Sequence, residues 1–362
     1  MPPLTDNGTV VVSYDEALNW LSKAGKGTNA PHLLLGNGFS IAQNPAAFTY
    51  SALQRRANDE GRISPTAQGF FEELKTVDFE LVIRSMLDAA RGLRILRGNP
   101  RDPDVLGLAA EAAALKEALA VVLAGLHPSL PSEIDDDAYA RVYVFLASFR
   151  TIYTTNYDLL LYWTLMKGLD EDFVALVKTS RAMDDGFRDP GYQAEYVTWD
   201  YLHAGRNQCV YYVHGALHLF RNDDELQKFT WSRTEVPLLD QVRAQLSAGY
   251  YPLYVSEGSS REKLSRISTS DYLSRGLRSL AAVANGLLVY GLAFSDNDEH
   301  LSKAVVESKV TRLAISVYGK PSAPENVKLA AKVVDLVARR LAYNPRSPLE
   351  VMLFDASSVE LW

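Results

Sequence analysis

Four short stretches of the sequence combine residue types that can hold and transform a ligand. They are HLLLGNGFS (32–40), TTNYD (154–158), VHG (213–215) and VYGLAFSDNDEH (289–300). Glycines in the first and last stretches let the backbone approach a phosphate closely. Asn156 and Asp158 offer an amide and a carboxylate for hydrogen bonds, and His214 suits general-base chemistry near neutral pH. Together these residue types would serve a phosphate-bearing ligand and a proton transfer.

Each stretch also has a structural interpretation that involves no ligand. GNG could be a tight turn between a strand and a helix, because position 41 is Ile and no third glycine completes the G-x-G-x-x-G fingerprint. Asp158 could close a turn as an Asx cap, and a single histidine such as His214 is often buried for packing. Taken alone, none of the stretches decides between the two interpretations.

A metal site is the less economical explanation of the acids and histidines. Asp296, Asp298 and His300 resemble metal ligands, but acids at this place also begin a helix, with Asp296 or the serine before it as the cap. His214 and His218 would share one face of a strand, yet no carboxylate or cysteine lies nearby in the sequence. The sequence therefore predicts no metal site.

Alternating strand and helix patterns must position these stretches. Apolar and β-branched runs predict strands at 32–35, 150–158, 209–220, the first part of 285–300, 311–319 and 349–356. Apolar spacing of three to four residues predicts helices at 14–24, through most of 51–127, and at 138–149, 270–284 and 329–342. LQKFTWSRT (226–234) is typical of an edge strand or a hairpin arm. This alternation predicts an α/β fold with a mainly parallel sheet and flanking helices, whose sites lie at the carboxyl ends of the strands.

One helical block interrupts the alternation. Residues 51–137 hold no strand pattern and are predicted to be a mainly helical insertion or subdomain. Residues 1–50 and 138–362 would then form the ligand-binding domain around it.

Composition restricts the class of protein. The chain of 362 residues has a formal charge of −7, so no global basic field favours nucleic acid or an anionic membrane. A single cysteine, Cys209, rules out an intramolecular disulfide framework and a four-thiolate zinc module, and it fits a reducing cytoplasm. No signal-peptide pattern begins the sequence, and its apolar stretches fall short of the ~18 clean apolar residues of a membrane span. We expect a cytoplasmic protein that does not bind nucleic acid directly and has no membrane segment.

The four stretches, in their order, resemble those of the sirtuin-like (SIR2-like) superfamily. Sirtuins show a glycine-rich turn, a T-Q-N-x-D strand end, a catalytic H-G and a later phosphate turn. The chain is most similar to bacterial SIR2-like proteins of the DUF4917 type, from the leucines before GNGFS almost to the C-terminus, including the stretch SEGSSREKLSRISTSDYLSRGL (256–277). The resemblance implies a Rossmann-like fold that binds NAD.

The resemblance also implies roles for individual residues. Asn156 and His214 would be catalytic, and Asp158 would contact the nicotinamide carboxamide. The residues that would bind NAD are Gly36, Asn37, Gly38, Phe39, Ser40, Thr155, Asp158, Gly291 and Leu292. The strand that ends near Phe354-Asp355 would border the adenine.

Two departures from sirtuin deacylases shape the expected activity. One cysteine cannot build their four-cysteine zinc module, and Asn37 stands where sirtuins commonly have alanine. In similar bacterial proteins without the module, the implied activity is that of an NAD glycohydrolase, which releases nicotinamide and ADP-ribose in anti-phage defence by abortive infection. Such an enzyme must be restrained, so a homo-oligomer, a separately encoded regulatory protein, or both are expected besides NAD.

The chemistry of the named residues suits this reaction. Cleavage of the nicotinamide–ribose bond passes through an oxocarbenium-like state. Asp158 could orient the carboxamide, Asn156 could hold a water, and His214 could accept a proton, an effect of about 10²–10⁴-fold in rate. No metal is needed.

Two alternatives stay open. A zinc-free deacylase or ADP-ribosyltransferase would use the same Asn156 and His214 but would yield modified protein or O-acyl-ADP-ribose. A non-catalytic module would bind NAD or ADP-ribose and report it to a partner. Fold alone cannot separate these functions.

Overall fold

The architecture was analysed in a computed structural model, which describes residues 11–24, 30–179, 181–199, 207–222, 225–255 and 259–362. The expectations for residues 1–10 and for 256–258 lie outside these ranges. Within the described ranges, every helix is too short or too polar to cross a membrane.

A seven-stranded sheet, parallel throughout, forms the centre of the molecule. The strands of the chain are β1 (Val11–Val12), β2 (His32–Leu35), β3 (Ile152–Thr154), β4 (Phe187–Arg188), β5 (Tyr196–Trp199), β6 (Val210–Tyr212), β7 (Leu219–Asn222), β8 (Glu225–Phe229), β9 (Ala284–Tyr290), β10 (Lys309–Val317) and β11 (Glu350–Asp355). The large sheet has the order β1-β11-β10-β9-β2-β3-β6, and each neighbouring pair is parallel. The predicted α/β fold with a mainly parallel sheet is therefore confirmed.

Helices cover both faces of this sheet. They are α1 (Tyr14–Ser22), α2 (Gly38–Gln43), α3 (Pro45–Phe48), α4 (Tyr50–Asp59), α5 (Pro65–Glu73), α6 (Phe79–Arg97), α7 (Pro103–Leu126), α8 (Asp136–Ala147), α9 (Leu160–Lys167), α10 (Glu171–Val177), α11 (Trp231–Thr234), α12 (Leu238–Ser247), α13 (Ser260–Ser268), α14 (Asp271–Ala281), α15 (Glu299–Glu307) and α16 (Pro324–Tyr343).

The apolar pattern of β2 shows how the layers form. Leu33 and Leu35 point into a core shared with α1, α8 and α9, whereas Leu34 points into a second core shared with α14, α15 and α16. All three leucines are fully buried, which contributes about 2 kcal/mol each. A strand that is apolar on both faces is characteristic of a parallel sheet sandwiched between helices.

A small antiparallel sheet, of order β4-β5-β8-β7, flanks the large one. It corrects one prediction and decides between the two alternatives of another. The predicted strand 209–220 is divided between β6 and β7, because the chain turns at Gly215, whose φ is +83°. Within the segment 226–234, only the part that belongs to β8 is a hairpin arm. β8 pairs with β7 on one side and with β5 on the other, so β8 is not an edge strand. Its last residues form α11.

The block predicted as a helical insertion holds α4 to α7, and α6 packs along α7. All residues from 51 to 137 are described, and no strand lies among them. The division into two domains stays a prediction. The start of α6 reaches the carboxyl edge of the large sheet, where the candidate site lies.

Candidate functional site

Four neighbouring strands bring the four sequence stretches to one edge of the sheet. The order β9-β2-β3-β6 places Gly291, Gly36, Thr155 and Val213, each the first residue after its strand, side by side at the carboxyl edge. From β2 the chain proceeds to β3 and β6 on one side, and later strands fill the other side from β9 to β11. The gap between β2 and β9 is therefore the topological switch point, where open α/β sheets bind ligands.

The glycines of the two turns at this gap pack against each other. A Cβ on Gly36 would lie 2.5 Å from the Gly291 oxygen, and one on Gly38 would lie 2.5 Å from the Gly291 Cα. The Gly36 and Gly38 N–H groups donate to the carbonyls of Tyr290 and Gly291, at 2.9 and 3.0 Å. Close backbone packing thus requires these glycines, and their two N–H groups are already used within the protein.

A chain of three side chains fixes the amide of Asn156. Asp158 accepts a hydrogen bond of 2.5 Å from the Ser40 hydroxyl, and Ser40 in turn accepts one of 2.8 Å from Asn156 Nδ2. Because a carboxylate can only accept, the Ser40 proton points to Asp158 and the NH₂ side of Asn156 must face Ser40. Asn156 Oδ1 is left buried with no partner among the described residues. An acceptor in this state indicates a ligand or a water donor.

Asp158 is buried and also accepts from the Leu160 N–H at 2.9 Å. Burial raises the pKa of Asp158, and the hydrogen bond from Ser40 opposes this. The cap interpretation of Asp158 thus holds for one oxygen, while the other oxygen orients Ser40.

His214 contacts a second histidine. Its Nε2 lies 2.8 Å from Nε2 of His300, and His300 Nδ1 lies 3.1 Å from the Ser260 hydroxyl. That hydroxyl also accepts the His300 backbone N–H at 2.7 Å. Burial holds the pKa of His214 well below its usual range and lowers that of His300 to about 4. Both imidazoles are therefore neutral near pH 7.

A buried lysine joins two carboxylates beside this pair. Lys263 Nζ lies 2.6 Å from Glu80 Oε2 and 3.0 Å from Asp298 Oδ1. Glu80 Oε1 is 3.1 Å from the Tyr157 hydroxyl, and Asp298 Oδ1 is 4.0 Å from His214 Nε2. Burial raises the pKa of Glu80 to about 7 against the effect of Lys263. Burial would also raise that of Asp298, but Lys263 and the two histidines lower it to about 2.

Possible ligand atoms of His214, Asp298 and His300 lie within 4.8 Å of one another. The fully buried ammonium of Lys263 already bonds Asp298, and a metal ion there would meet its positive charge. We interpret the group as a hydrogen-bond network. Of the two predicted caps, Ser295 stands at the N-cap of a 3₁₀ turn, Asp296–Asp298, without a side-chain cap hydrogen bond; its hydroxyl donates to Asp298 Oδ2 at 3.0 Å. The proposed strand face shared by His214 and His218 is wrong, since β6 ends at Tyr212.

Two cavities open at the switch point. The small cavity, of about 250 Å³, is lined by Asn156, His214, Glu80 and Asp298 among others. The large cavity, of about 880 Å³, extends over the ends of β10 and β11 and includes Ser316 and Trp362. Gly291, Leu292 and Ala293 line both cavities. The second volume falls within the range of ~300–1,000 Å³ typical of ligand sites.

The predicted site residues divide between these cavities and the interior. Those that line the small cavity are Asn37, Thr155, Asn156, Asp158, His214, Gly291 and Leu292. Gly38 lines the large cavity, as do Ala356 and Ser357 just after the predicted adenine border at Phe354-Asp355. Gly36, Phe39 and Ser40 line neither; Phe39 and Ser40 are buried, and Ser40 acts through its neighbours.

Sequence reasoning missed Glu80, Lys263, Tyr157 and Ser260. A signal for Glu80 existed, because it shares a helical face with the buried Ile83 three residues on. Lys263 similarly precedes the buried Ile267 by four residues. Both Lys263 and Ser260 lie in the stretch 256–277, whose resemblance was noted without a role.

Comparison with known proteins gives one family. Residues 33–362 match a family described as a domain of unknown function, DUF4917. None of the curated proteins matches the chain.

Proposed function

Because the chain belongs to the DUF4917 family, whose description names no activity, we propose its function from the site: a SIR2-like NAD glycohydrolase that yields nicotinamide and ADP-ribose. One observation carries the proposal. The unpartnered Oδ1 of Asn156 and the neutral imidazole of His214 line one small cavity at the switch point of a parallel sheet. This is the pair of residues that the sirtuin resemblance assigns to catalysis.

The pair of cavities supports a dinucleotide as the substrate. They share the segment 291–293 and lie on either side of the β2–β9 gap. We propose that the nicotinamide riboside half occupies the small cavity and the adenosine half the large one. The diphosphate would pass over the packed glycine turns, where backbone is exposed without side chains. Because the Gly36 and Gly38 N–H groups already donate to carbonyls of the protein, the hydrogen bonds to the diphosphate would come from neighbouring residues.

The reaction breaks the bond between C1′ of the ribose and the ring nitrogen, and nicotinamide leaves with the bonding electron pair. Water supplies the new C1′–O bond and loses one proton. Asn156 Oδ1, held by Ser40, is proposed to accept a hydrogen bond from that water and so orient it. Neutral His214 is proposed to accept a proton from a ribose hydroxyl or from the water.

The proposal extends to biology by resemblance alone. Loss of NAD would be lethal to a cell, so we propose a regulated effector of bacterial anti-phage defence that is restrained in an oligomer or by a separate protein. The small volume next to Asn156 favours water over a peptide as the acceptor, which supports hydrolysis over protein modification.

The test is incubation of the purified full-length protein with NAD, with nicotinamide and ADP-ribose measured by chromatography. His214→Ala is expected to abolish nicotinamide release while the fold is retained, and Asn156→Ala should cost at least as much while NAD binding persists. His218→Phe is the matched control, because His218 is buried but lines neither cavity.

Turnover retained in His214→Ala would refute the catalytic assignment. Lost NAD binding in Asn156→Ala would make Asn156 a binding residue. Modified protein in place of free ADP-ribose would support a transferase. If NAD binds but is not cleaved in any condition, the protein would be a non-catalytic binding module.

A further inference from the structure

The cluster of Glu80, Lys263 and Asp298 contains more negative than positive charge when Glu80 is ionised. Lys263 is fully buried and is bonded to both carboxylates. One ammonium therefore faces two carboxylates inside the protein. The nearby imidazoles of His214 and His300 add no positive charge, because burial keeps them neutral.

The groups that surround Glu80 do not remove this imbalance. The titratable ones that act on it or bond to it are Lys263, Asp298, Asp78 and the hydroxyls of Tyr50 and Tyr157. Asp78 is a further carboxylate on the wall of the small cavity, and the pKa of each tyrosine lies well above its usual value, so both are neutral. Lys263 is thus the cation that bonds Glu80, whereas Arg84, one turn along α6, donates to Asn297 at 2.8 Å.

A second observation shows that the same cavity lacks a ligand group. Asn156 is 7% exposed, lines the cavity together with Glu80 and Asp298, and its Oδ1 has no partner. A ligand here would complete the hydrogen bond of Asn156 and would also meet the excess negative charge. A positive charge on that ligand would compensate the excess negative charge of the cluster.

We propose that the Glu80–Lys263–Asp298 cluster is an electrostatic subsite for the positively charged nicotinamide ring, so that the protein binds oxidised NAD in preference to its reduced form. This inference rests on the proposed function. Glu80 is its specificity-determining residue, and Lys263 and Tyr157 are positioning residues. The same field would favour the positive charge that moves onto the ribose as nicotinamide leaves.

The proton on Glu80 makes the preference depend on pH. Because burial raises the pKa of Glu80 to about 7, the carboxyl is charged above that pH and neutral below it. The excess negative charge is therefore present in mildly alkaline solution and falls as the pH drops through the pKa. Preference for the oxidised form should fall with it.

The experiment measures binding of carbocyclic NAD, which lacks the ribose oxygen and resists cleavage, in its oxidised and reduced forms by calorimetry. At about pH 8, the full-length wild type should bind the oxidised form on the order of tenfold more tightly. In Glu80→Gln the ratio should fall towards one. Asp88→Asn, which removes an exposed carboxylate from the same helix α6, should keep the wild-type ratio.

A wild-type ratio in Glu80→Gln would overturn the inference. If that variant does not fold, the wild type decides: its ratio should shrink between about pH 8 and about pH 6, and a constant ratio rejects the role of Glu80. Equal binding of both forms by the wild type rejects the subsite but keeps NAD as ligand. Binding of neither form rejects the proposed function as well.

Discussion

The amide of Asn156 is oriented by a chain of two hydrogen bonds inside the protein. Asp158 and Ser40 decide which end of the amide faces the cavity, because the carboxylate accepts the only proton that Ser40 can give. The expected contact of Asp158 with the nicotinamide carboxamide stays a prediction: Asp158 lines the small cavity, and each of its oxygens accepts a hydrogen bond from the protein. Its observed contacts orient Ser40 and, through Ser40, Asn156.

Asp158→Asn tests this orientation. The new NH₂ group can donate to Ser40, whose hydroxyl then donates to Asn156 Oδ1 once that amide turns over, so that the NH₂ group of Asn156 replaces the acceptor in the cavity. Nicotinamide release should fall about 10²-fold, whereas NAD affinity and the unfolding temperature should change little. The matched control is Asp170→Asn, at a helix cap remote from the site. Wild-type turnover in Asp158→Asn would contradict the proposed hydrogen-bond chain.

The sequence placed Asn156 and His214 at strand ends that should lie at one edge of the sheet, and the sirtuin resemblance joined them as a catalytic pair. Neither could predict the partners of His214. The acids near Asp298 were explained by the start of a helix, a local explanation that is sufficient within the sequence. Only the packing of α13 against the start of α15 places Lys263 beside Asp298.

At the scale of elements, the contact between two glycine turns holds β2 and β9 in register. Gly38→Ala should lower the free energy of unfolding by about 1–3 kcal/mol, because its Cβ would overlap the Gly291 backbone. Gly92→Ala is the matched control. Gly92 lies inside α6 with nothing within 4 Å of an added Cβ, so alanine should stabilise by about 0.5–1 kcal/mol. Urea unfolding measures both, and an undisturbed Gly38→Ala would contradict the close approach of the turns.

Strands with apolar residues on both faces were predictable, as β2, β9, β10 and β11 show. The segment 209–220 was not, since its apolar residues continue through a turn and serve two different sheets. The turn depends on Gly215, where a Cβ would lie 1.9 Å from the Leu253 oxygen. That neighbour is distant in sequence, and no local pattern reveals it.

At the scale of the whole molecule, buried histidines make the fold sensitive to acid. Burial lowers the pKa of His32, His127, His214, His218 and His300. In the unfolded chain they take up protons below about pH 6.5, whereas the folded protein does not. The contribution of these neutral histidines to the free energy of unfolding is therefore complete above that pH and is lost as the pH falls below it.

His218→Phe should reduce this loss. Both ring nitrogens of His218 lack hydrogen-bond partners among the described residues, and the ring packs against Tyr162 and Tyr212. The variant should match the wild type near pH 7 and exceed its unfolding free energy by about 2 kcal/mol at about pH 5. His127→Phe is the contrast, because it leaves the Leu159 N–H without its acceptor and should cost about 1–3 kcal/mol near pH 7. Equal acid sensitivity of His218→Phe and wild type would contradict the neutral buried state.

The place of β11 in the sheet affects how the protein is made. Val11 pairs with Leu353, and β11 lies between β1 and β10. At ~5–20 residues per second of translation, roughly 20–70 s separate the synthesis of these two partners. β1 therefore stays without its partner until β11 has been synthesised. A nascent chain that lacks β11 carries no finished sheet, and the proposed NAD glycohydrolase would become competent only once β11 has joined it.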